Sequence, residues 1–288
     1  MEAYAEERLR LSELRAFVES ALGDLVPDAA SPSRQVQAAM RYALLSPGKR
    51  IRPILALLSA EHLGCSASVA MPAACAIELV HAASLVLDDL PCMDNAESRR
   101  GLPSVHVRYG QDVAVLTGVA LLNAAFDVVA KTPSISDAVR VEMVGLLART
   151  VGTKGLVAGQ ESDLRGPPES SPCFLRRVHH QKTGMLFMAA AEMGALAAGA
   201  GSEDRRALRG FAKELGLAFQ ALDDLDDEAE LDTPHKPGAN MLAVLSRDDL
   251  RQEVTTRIVR AKAALVGAGD HLTGIEPYVD LLVWQAQA

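Results

Sequence analysis

The chain has 288 residues, 49% of them hydrophobic, and it carries a formal net charge of −8 with a pI near 5.4. An acidic chain is a poor electrostatic match for nucleic acid or an anionic membrane surface. Its four cysteines form no CxxC pair and no metal-type spacing, which favours reduced thiols in a cytoplasmic protein. The N-terminal segment lacks the apolar core of a signal peptide, and the apolar stretch 114–130 contains Asn123 and Asp127. We therefore expect that the chain is not an integral membrane protein.

Apolar residues recur at three- and four-residue spacing along nearly the whole chain, without the sustained alternation that is typical of strands. In chain order, breaker residues divide this pattern into helical segments at 46–48, 63–64, 131–133, 165–173 and 232–238. Each break is short and flanked by helical pattern, so none resembles a linker. The sequence predicts a single all-α domain over residues 1–288, a bundle of about ten or more helices.

Two clusters of carboxylates follow apolar helical runs. The segment Ala73–Leu87 is apolar almost all round, which is typical of a helix in the centre of a bundle. The cluster after this helix contains Asp88, Asp89 and Asp94, and Pro91 predicts a break that brings Asp94 back towards Asp88. The second cluster follows the run 215–222 and contains Asp223, Asp224 and Asp227, of which the first and last share one helix face.

Clustered carboxylates repel one another, and a cation is the usual remedy. Oxygen ligands without histidine or cysteine suit Mg²⁺, which binds through one or two carboxylates and substrate phosphates. The alternative is that each cluster is a solvated acidic helix end. Two clusters, each after a long apolar run, favour the metal site.

Basic residues accompany the acidic clusters and are the usual partners of phosphate. Lys49 and Arg52 lie in the string GKRIRP, Arg99 and Arg100 follow the first cluster, and Lys182 begins the string KTG. For any one of these groups alone, a solvated surface charge is the favoured interpretation. Together with the carboxylates, they predict a site for two diphosphates.

These motifs resemble those of the trans-isoprenyl diphosphate synthases, the polyprenyl synthetase family. The resemblance rests on ELVHAASLVLDDLPCMDNAESRRG (78–101), FQALDDLDD (219–227), GKRIRP, Gly159-Gln160 with Asp163, and KTG, in the family's order. It is strongest towards bacterial short-chain farnesyl and geranylgeranyl diphosphate synthases. It implies an isoprenoid synthase fold with a deep central cavity, a homodimer, and three Mg²⁺ ions, which together join isopentenyl diphosphate to an allylic diphosphate.

The resemblance also assigns roles to individual residues. The metal ligands would be Asp88, Asp94 and Asp223, supported by Asp89, Asp224 and Asp227. The allylic diphosphate would be held by Arg99 and Lys182, and Thr183 and Gln220 would line the path of the carbocation. Isopentenyl diphosphate would be held by Lys49, Arg52, His81 and Arg100.

His81 has an alternative reading, because a lone histidine on an apolar helix is usually a core residue. It lies seven residues before Asp88, two turns away on nearly the same face, which favours the site.

The sequence departs from the family pattern at three places. Val119 stands where the family usually has aspartate, and Asn95-Ala96 replaces further acidic residues. After the second cluster, Lys236 matches one basic position of the family, whereas the later one is lost at Ala239-Asn240. The carboxylates assigned as metal ligands, Asp88, Asp94 and Asp223, are all retained.

Product length depends on the residues one turn below the first cluster. Ala83 and Ser84 are small, and the insertion Pro91-Cys92 resembles bacterial geranylgeranyl enzymes, so we expect a C20 product. The alternative is a C15 product, with the cavity closed by Phe126 or Met185 from a facing helix.

Two other functions compete with this prediction. A class I terpene cyclase also ionises a diphosphate, but it has no use for a second diphosphate pocket. A catalytically weak regulatory subunit is supported by Val119 and by the missing late lysine, and the two intact acidic motifs argue against it.

Overall fold

The computed structural model describes residues 4–26, 34–166, 171–226, 240–266 and 269–287. Helices α1 to α14 account for most of these residues, and their bounds are Ala5–Leu25, Arg34–Leu44, Ile51–Glu61, Ala67–Asp88, Val105–Tyr109, Gln111–Ala130, Asp137–Val151, Leu156–Arg165, Pro172–His179, Met185–Ala197, Ser202–Asp226, Arg247–Val266, Asp270–Thr273 and Glu276–Gln287. A 3₁₀ turn, Met241–Ala243, precedes α12. The predicted all-α class is confirmed.

The core is built around α4, which packs against α3, α6 and α10. Alanine, leucine, valine and isoleucine cover α4 on nearly all sides, so no polar face is left for solvent. Helix α10 is apolar in the same way and packs in turn against α11, which packs against α12. The helices that end in carboxylates, α4 and α11, therefore both belong to the interior of the bundle.

A short hairpin interrupts the helices after α4. Its strands, β1 (Ser98–Arg99) and β2 (Leu102–Pro103), pair antiparallel with Arg99 opposite Leu102. The two turn residues, Arg100 and Gly101, have φ of 55° and 76°. Positive φ at both positions is the pattern of a type I′ turn, which matches the twist of a tight hairpin. The hairpin therefore presents Arg99, at the end of β1, and Arg100, in the turn, side by side.

A π-helical turn, His180–Gly184, joins α9 to α10 within one continuous helix. Such turns accommodate an extra residue and are frequent at functional sites. This turn contains the predicted site residues Lys182 and Thr183.

Helix α6 has an exposed apolar face on which Val115, Leu116 and Val119 are between 44% and 54% accessible. Helices α4 and α6 are both long and apolar enough to cross a membrane by length and composition. This is weak evidence for a membrane span, because a core helix such as α4 passes the same test.

Candidate active site

The first acidic motif forms where α4 stops. The helix ends at Asp88, and the backbone N–H of Asp94 donates to the carbonyl of Asp88 at 2.9 Å. The break that Pro91 predicts is therefore present, and it closes Asp94 back onto the end of α4. Asp89 is buried and turns instead to Arg99, whose Nε and Nη2 donate to its Oδ1 at 3.0 and 2.5 Å.

The Asp88 carboxyl is held in an environment that opposes its charge. Burial raises its pKa to about 7, and the charges of Asp94 and Asp89 act in the same direction, against Lys182 and Arg99. A cation would relieve this repulsion. The hard oxygen donors of the cluster fit Mg²⁺.

Lys182 reaches this cluster from the π-turn. Its Nζ donates to Asp163 Oδ2 on α8 at 2.5 Å. Burial alone would lower the pKa of Lys182, but Asp163, Asp88 and Asp94 together raise it. The ammonium is therefore firmly charged beside the first motif, where a diphosphate would meet it. Gln160 Nε2, also on α8, lies 3.5 Å from Asp94 Oδ1.

Helix α8 packs directly on the backbone of the π-turn. A Cβ at Gly159 would lie 2.7 Å from the backbone nitrogen of Lys182. Glycine permits this approach, and the approach brings Asp163, one turn further along α8, to the lysine.

Asp223 and Asp224 of the second motif differ in environment. Asp223 is exposed, and its charge opposes the burial that lowers the pKa of Arg52 to about 10. Asp224 is buried: it accepts from Gln220 Nε2 at 3.1 Å and from the backbone N–H of Met241 at 2.8 Å, and His179 Nε2 lies 3.7 Å away. Asp224 thus ties α11 to neighbouring segments.

Thr183 and Gln220 lie together as one hydrogen-bonded pair. Thr183 Oγ1 donates to Gln220 Oε1 at 2.6 Å, which links the π-turn to α11. Through Gln220 the pair continues to Asp224. The chain of contacts fixes the orientation of the second motif relative to Lys182.

The basic pocket is centred on His81. Arg52 Nη1 and Arg100 Nη2 each lie 3.4 Å from His81 Nε2, and the Arg52 guanidinium stacks on the Phe187 ring, 4.7 Å from its centroid. Guanidiniums can only donate, so Nε2 accepts and Nδ1 carries the proton. Burial first, and then Arg52 and Arg100, hold the pKa of His81 well below its usual value. His81 is therefore neutral and orients two cations.

Backbone strain concentrates around the site. Among the described residues, the non-glycine positions with positive φ are Arg50, Asn95 and Arg100. Such residues cost free energy and cluster at functional sites. Asparagine tolerates this conformation better than most residues, which gives a backbone reason for Asn95 after the first motif.

The remaining predicted residues are placed as follows. Lys49 is exposed beside Arg50, and Val119 lies on the outer face of α6. Asn240, at the lost basic position, donates from Nδ2 to the Asp224 carbonyl at 3.3 Å. Asp227, Lys236 and Ala239 lie outside the described residues.

Two contacts that hold the site residues in place were not predicted from the sequence. His179 lies beside Asp224, and Arg50 forms a buried pair with Glu78. The string GKRIRP contains Arg50, but nothing in the pattern separates a buried arginine from a ligand-facing one.

In the part of the chain that the structure describes, no three acidic, histidine or cysteine side chains lie close enough to form a metal cage by themselves. Mg²⁺ suits that arrangement, because it keeps waters and shares substrate phosphates.

An all-α bundle in which two acidic helix ends face two sets of basic side chains defines a class of enzymes that act on prenyl diphosphates. The family model for polyprenyl synthetases matches residues 33–240, and the chain belongs to that family of prenyltransferases. The resemblance inferred from the motifs is confirmed.

Relatives of known function support this membership. The chain is 45% identical over 219 residues to geranylgeranyl diphosphate synthase of Pantoea ananas, covering 75% of this chain and 72% of that one. It is 39% identical over 262 residues to geranylgeranyl diphosphate synthase of Pseudescherichia vulneris, covering 88% and 85%. The match to chloroplastic geranylgeranyl pyrophosphate synthase 7 of Arabidopsis thaliana is 45% identical and spans 57% of that longer protein.

Solved structures of similar proteins superimpose on nearly the whole chain. An FPP/GFPP synthase from Zymomonas mobilis superimposes with a TM-score of 0.87 at 30% identity, covering 96% of this chain and 98% of that one. A geranyltransferase from Legionella pneumophila gives 0.89 at 29% identity, covering 99% and 100%.

Proposed function

We propose that the chain is a Mg²⁺-dependent prenyltransferase that joins isopentenyl diphosphate to allylic diphosphates and releases a C20 product. One observation carries the proposal: the carboxylates of Asp88 and Asp94 lie with Lys182 at one site, beside a separate pocket formed by Arg52, His81 and Arg100. Two diphosphate substrates need two such cationic sites. A terpene cyclase needs one, so the second pocket argues against that alternative.

In the proposed reaction, Lys182 and Arg99 bind the allylic diphosphate, while Asp88, Asp94 and Asp223 hold the metal, with three ions expected from the family. Bound Mg²⁺ supplies positive charge that stabilises the departing diphosphate. Lys182 adds a fixed charge where negative charge develops, which assists the ionisation further. The allylic C–O bond breaks, and its electron pair leaves with the diphosphate.

The second substrate is positioned by the basic pocket. Lys49, Arg52 and Arg100 bind isopentenyl diphosphate, and neutral His81 keeps the two guanidiniums apart and oriented. The double bond of isopentenyl diphosphate attacks the allylic cation, and a proton is then lost to the released diphosphate. Apolar helix faces exclude water, while the paired Thr183 and Gln220 line the path of the cation.

The C20 product is supported by the geranylgeranyl diphosphate synthases among the relatives and by the small residues Ala83 and Ser84 about one turn before Asp88. A C15 product is the second candidate. Phe126 and Met185 are both half-buried, and either would close the cavity if its side chain faced α4.

The proposed function is tested by turnover as a function of Mg²⁺ in the parent and in the single variants Asp88→Asn and Asp223→Asn. We expect activity to require Mg²⁺ and each variant to lose several orders of magnitude in rate. Asp127→Asn on the exposed face of α6 serves as the matched control and is expected to keep the turnover rate of the parent. Parent-like turnover in either site variant contradicts the assignment, and so does metal-independent turnover.

We also propose a cytoplasmic homodimer that associates through α6. Support comes from the exposed apolar face at Val115, Leu116 and Val119, since exposed patches of this kind mark association surfaces. Light scattering on the purified protein is expected to give twice the chain mass of 30.6 kDa, and Leu116→Asp to give the monomer. A monomeric parent, or a dimeric Leu116→Asp variant, contradicts the proposal.

A further inference from the structure

The turn that precedes α3 is anchored by one buried arginine. Arg50 is only 4% exposed and occupies the N-cap of α3 with φ of 53°. Its Nη2 donates to the carbonyls of Leu44 and Ser46 at 2.9 and 2.8 Å, and its Nη1 donates to Glu78 Oε1 at 2.6 Å. A single guanidinium thus joins the end of α2, the start of α3 and the middle of α4.

Glu78 is the buried countercharge of the basic pocket. It is 3% exposed on α4, and it lies one turn before His81. Its charge acts on Arg52 and Arg100 as well as on its direct partner Arg50. The pair lines, with His81 and Arg100, a small pocket that is partly open to solvent.

A charge pair this deeply buried contributes little to stability, because the cost of desolvating both groups offsets their attraction. Its geometry has another consequence. Arg50 is flanked in sequence by Lys49 and, two residues on, by Arg52, while Glu78 shares a helix face with His81. Fixing Arg50 to Glu78 therefore fixes the distance between the two halves of the pocket.

We propose that the Arg50–Glu78 pair positions the pocket for the non-allylic diphosphate, so that the pair sets the affinity for this substrate through the placement of Arg52, His81 and Arg100. The inference rests on the proposed function for the identity of that substrate. The neutralising effect of Glu78 on the neighbouring arginines opposes anion binding, whereas its positioning effect favours it. The two effects therefore predict opposite outcomes when the charge of Glu78 is removed.

The main test is the double variant Arg50→Met/Glu78→Met, which leaves no charge buried alone and keeps the side-chain volume. We expect it to fold and its KM for isopentenyl diphosphate to rise about tenfold, with KM for the allylic substrate and kcat changed far less. Glu78→Gln is expected to raise the same KM. Arg50→Lys keeps the positive charge at this position, and we expect it to raise this KM less than the double variant does. The control is Arg257→Met/Glu214→Met, which removes a partly buried pair that joins α11 to α12.

An unchanged KM for isopentenyl diphosphate in the double variant overturns the proposal, and so does a lower KM in Glu78→Gln. Calorimetric titration with inorganic diphosphate, in the absence of turnover, separates this failure from failure of the proposed function. If the parent binds diphosphate more tightly than the double variant but catalyses no condensation, the proposed function is wrong and the positioning role stands.

Discussion

Single residues at this site carry charges that the fold does not fully compensate. Asp88 is the clearest case, because burial raises its pKa from 3.8 to about 7. Between about pH 4 and pH 7, the folded chain keeps the Asp88 proton that the unfolded chain has lost. The free energy of unfolding therefore falls as pH rises through this range, by at most about 4 kcal/mol, and the full cost persists above pH 7.

Asp88→Asn removes that cost. Without divalent cations, we expect the variant to have a higher melting temperature than the parent, with a larger gain at pH 8 than at pH 5. Thermal unfolding of both proteins at the two pH values measures the difference. An equal gain at both values, or a larger gain at pH 5, would falsify the assignment of a buried, ionising Asp88.

Gly48 is a second residue at which a single added atom, a Cβ, is expected to affect substrate binding. A Cβ there would lie 2.5 Å from Arg100 Nη1, so Gly48→Ala forces the guanidinium away from its position beside His81. We expect KM for isopentenyl diphosphate to rise by about three- to tenfold with little change in kcat. Gly201→Ala, where a Cβ meets nothing within 4 Å, is the matched control for steady-state kinetics. An unchanged KM would show that Arg100 does not bind this substrate.

At the scale of elements, the contact between α8 and the π-turn sets the position of Lys182. Gly159→Ala places a Cβ 2.7 Å from the Lys182 backbone nitrogen, and backbone cannot move aside as a side-chain tip can. We expect a loss of stability of about 1–3 kcal/mol and a fall in kcat of tenfold or more, because misplacing a catalytic group is costly.

Denaturant unfolding and single-substrate kinetics check both effects of the Gly159 substitution. Gly210→Ala in α11 is the control, because its Cβ meets Ala264 at an ordinary 3.7 Å. Wild-type kcat in the Gly159→Ala protein is the outcome that the proposed role of the π-turn does not allow.

Much of this arrangement follows from local sequence pattern. The apolar spacing predicts the all-α class, and Pro91 predicts the break that returns Asp94 to Asp88. The π-turn is not predictable in this way, because five residues carry no period and the packing of Gly159 on the turn is not local. The His179–Asp224 contact likewise joins segments 45 positions apart. The hairpin turn at Arg100-Gly101 lacks the asparagine that usually marks such a turn.

At the scale of the whole molecule, the site draws side chains from the turn before α3, the end of α4, the hairpin, the π-turn and α11. We propose that the space below it determines product length. One helical turn rises about 5.4 Å, close to one isoprene unit, and Ser84 lies one turn before Asp88. We expect Ser84→Phe to shorten the product from C20 to C15 or less, as read by mass spectrometry.

Ser84→Ala is the size-matched control for that change and should leave the product length as it is. If the phenylalanine variant still releases a C20 product, the growing chain does not pass Ser84, and the floor of the cavity lies on a facing helix.

The most direct test of the account is a product analysis of the parent protein. The purified chain is incubated with Mg²⁺, isopentenyl diphosphate and, in parallel, C5, C10 and C15 allylic diphosphates, and product lengths are read by mass spectrometry. We predict condensation with all three and a C20 product, including from the C15 substrate. Arrest at C15 would keep the mechanism and contradict the proposed product, whereas no condensation with any allylic substrate would contradict the central claim.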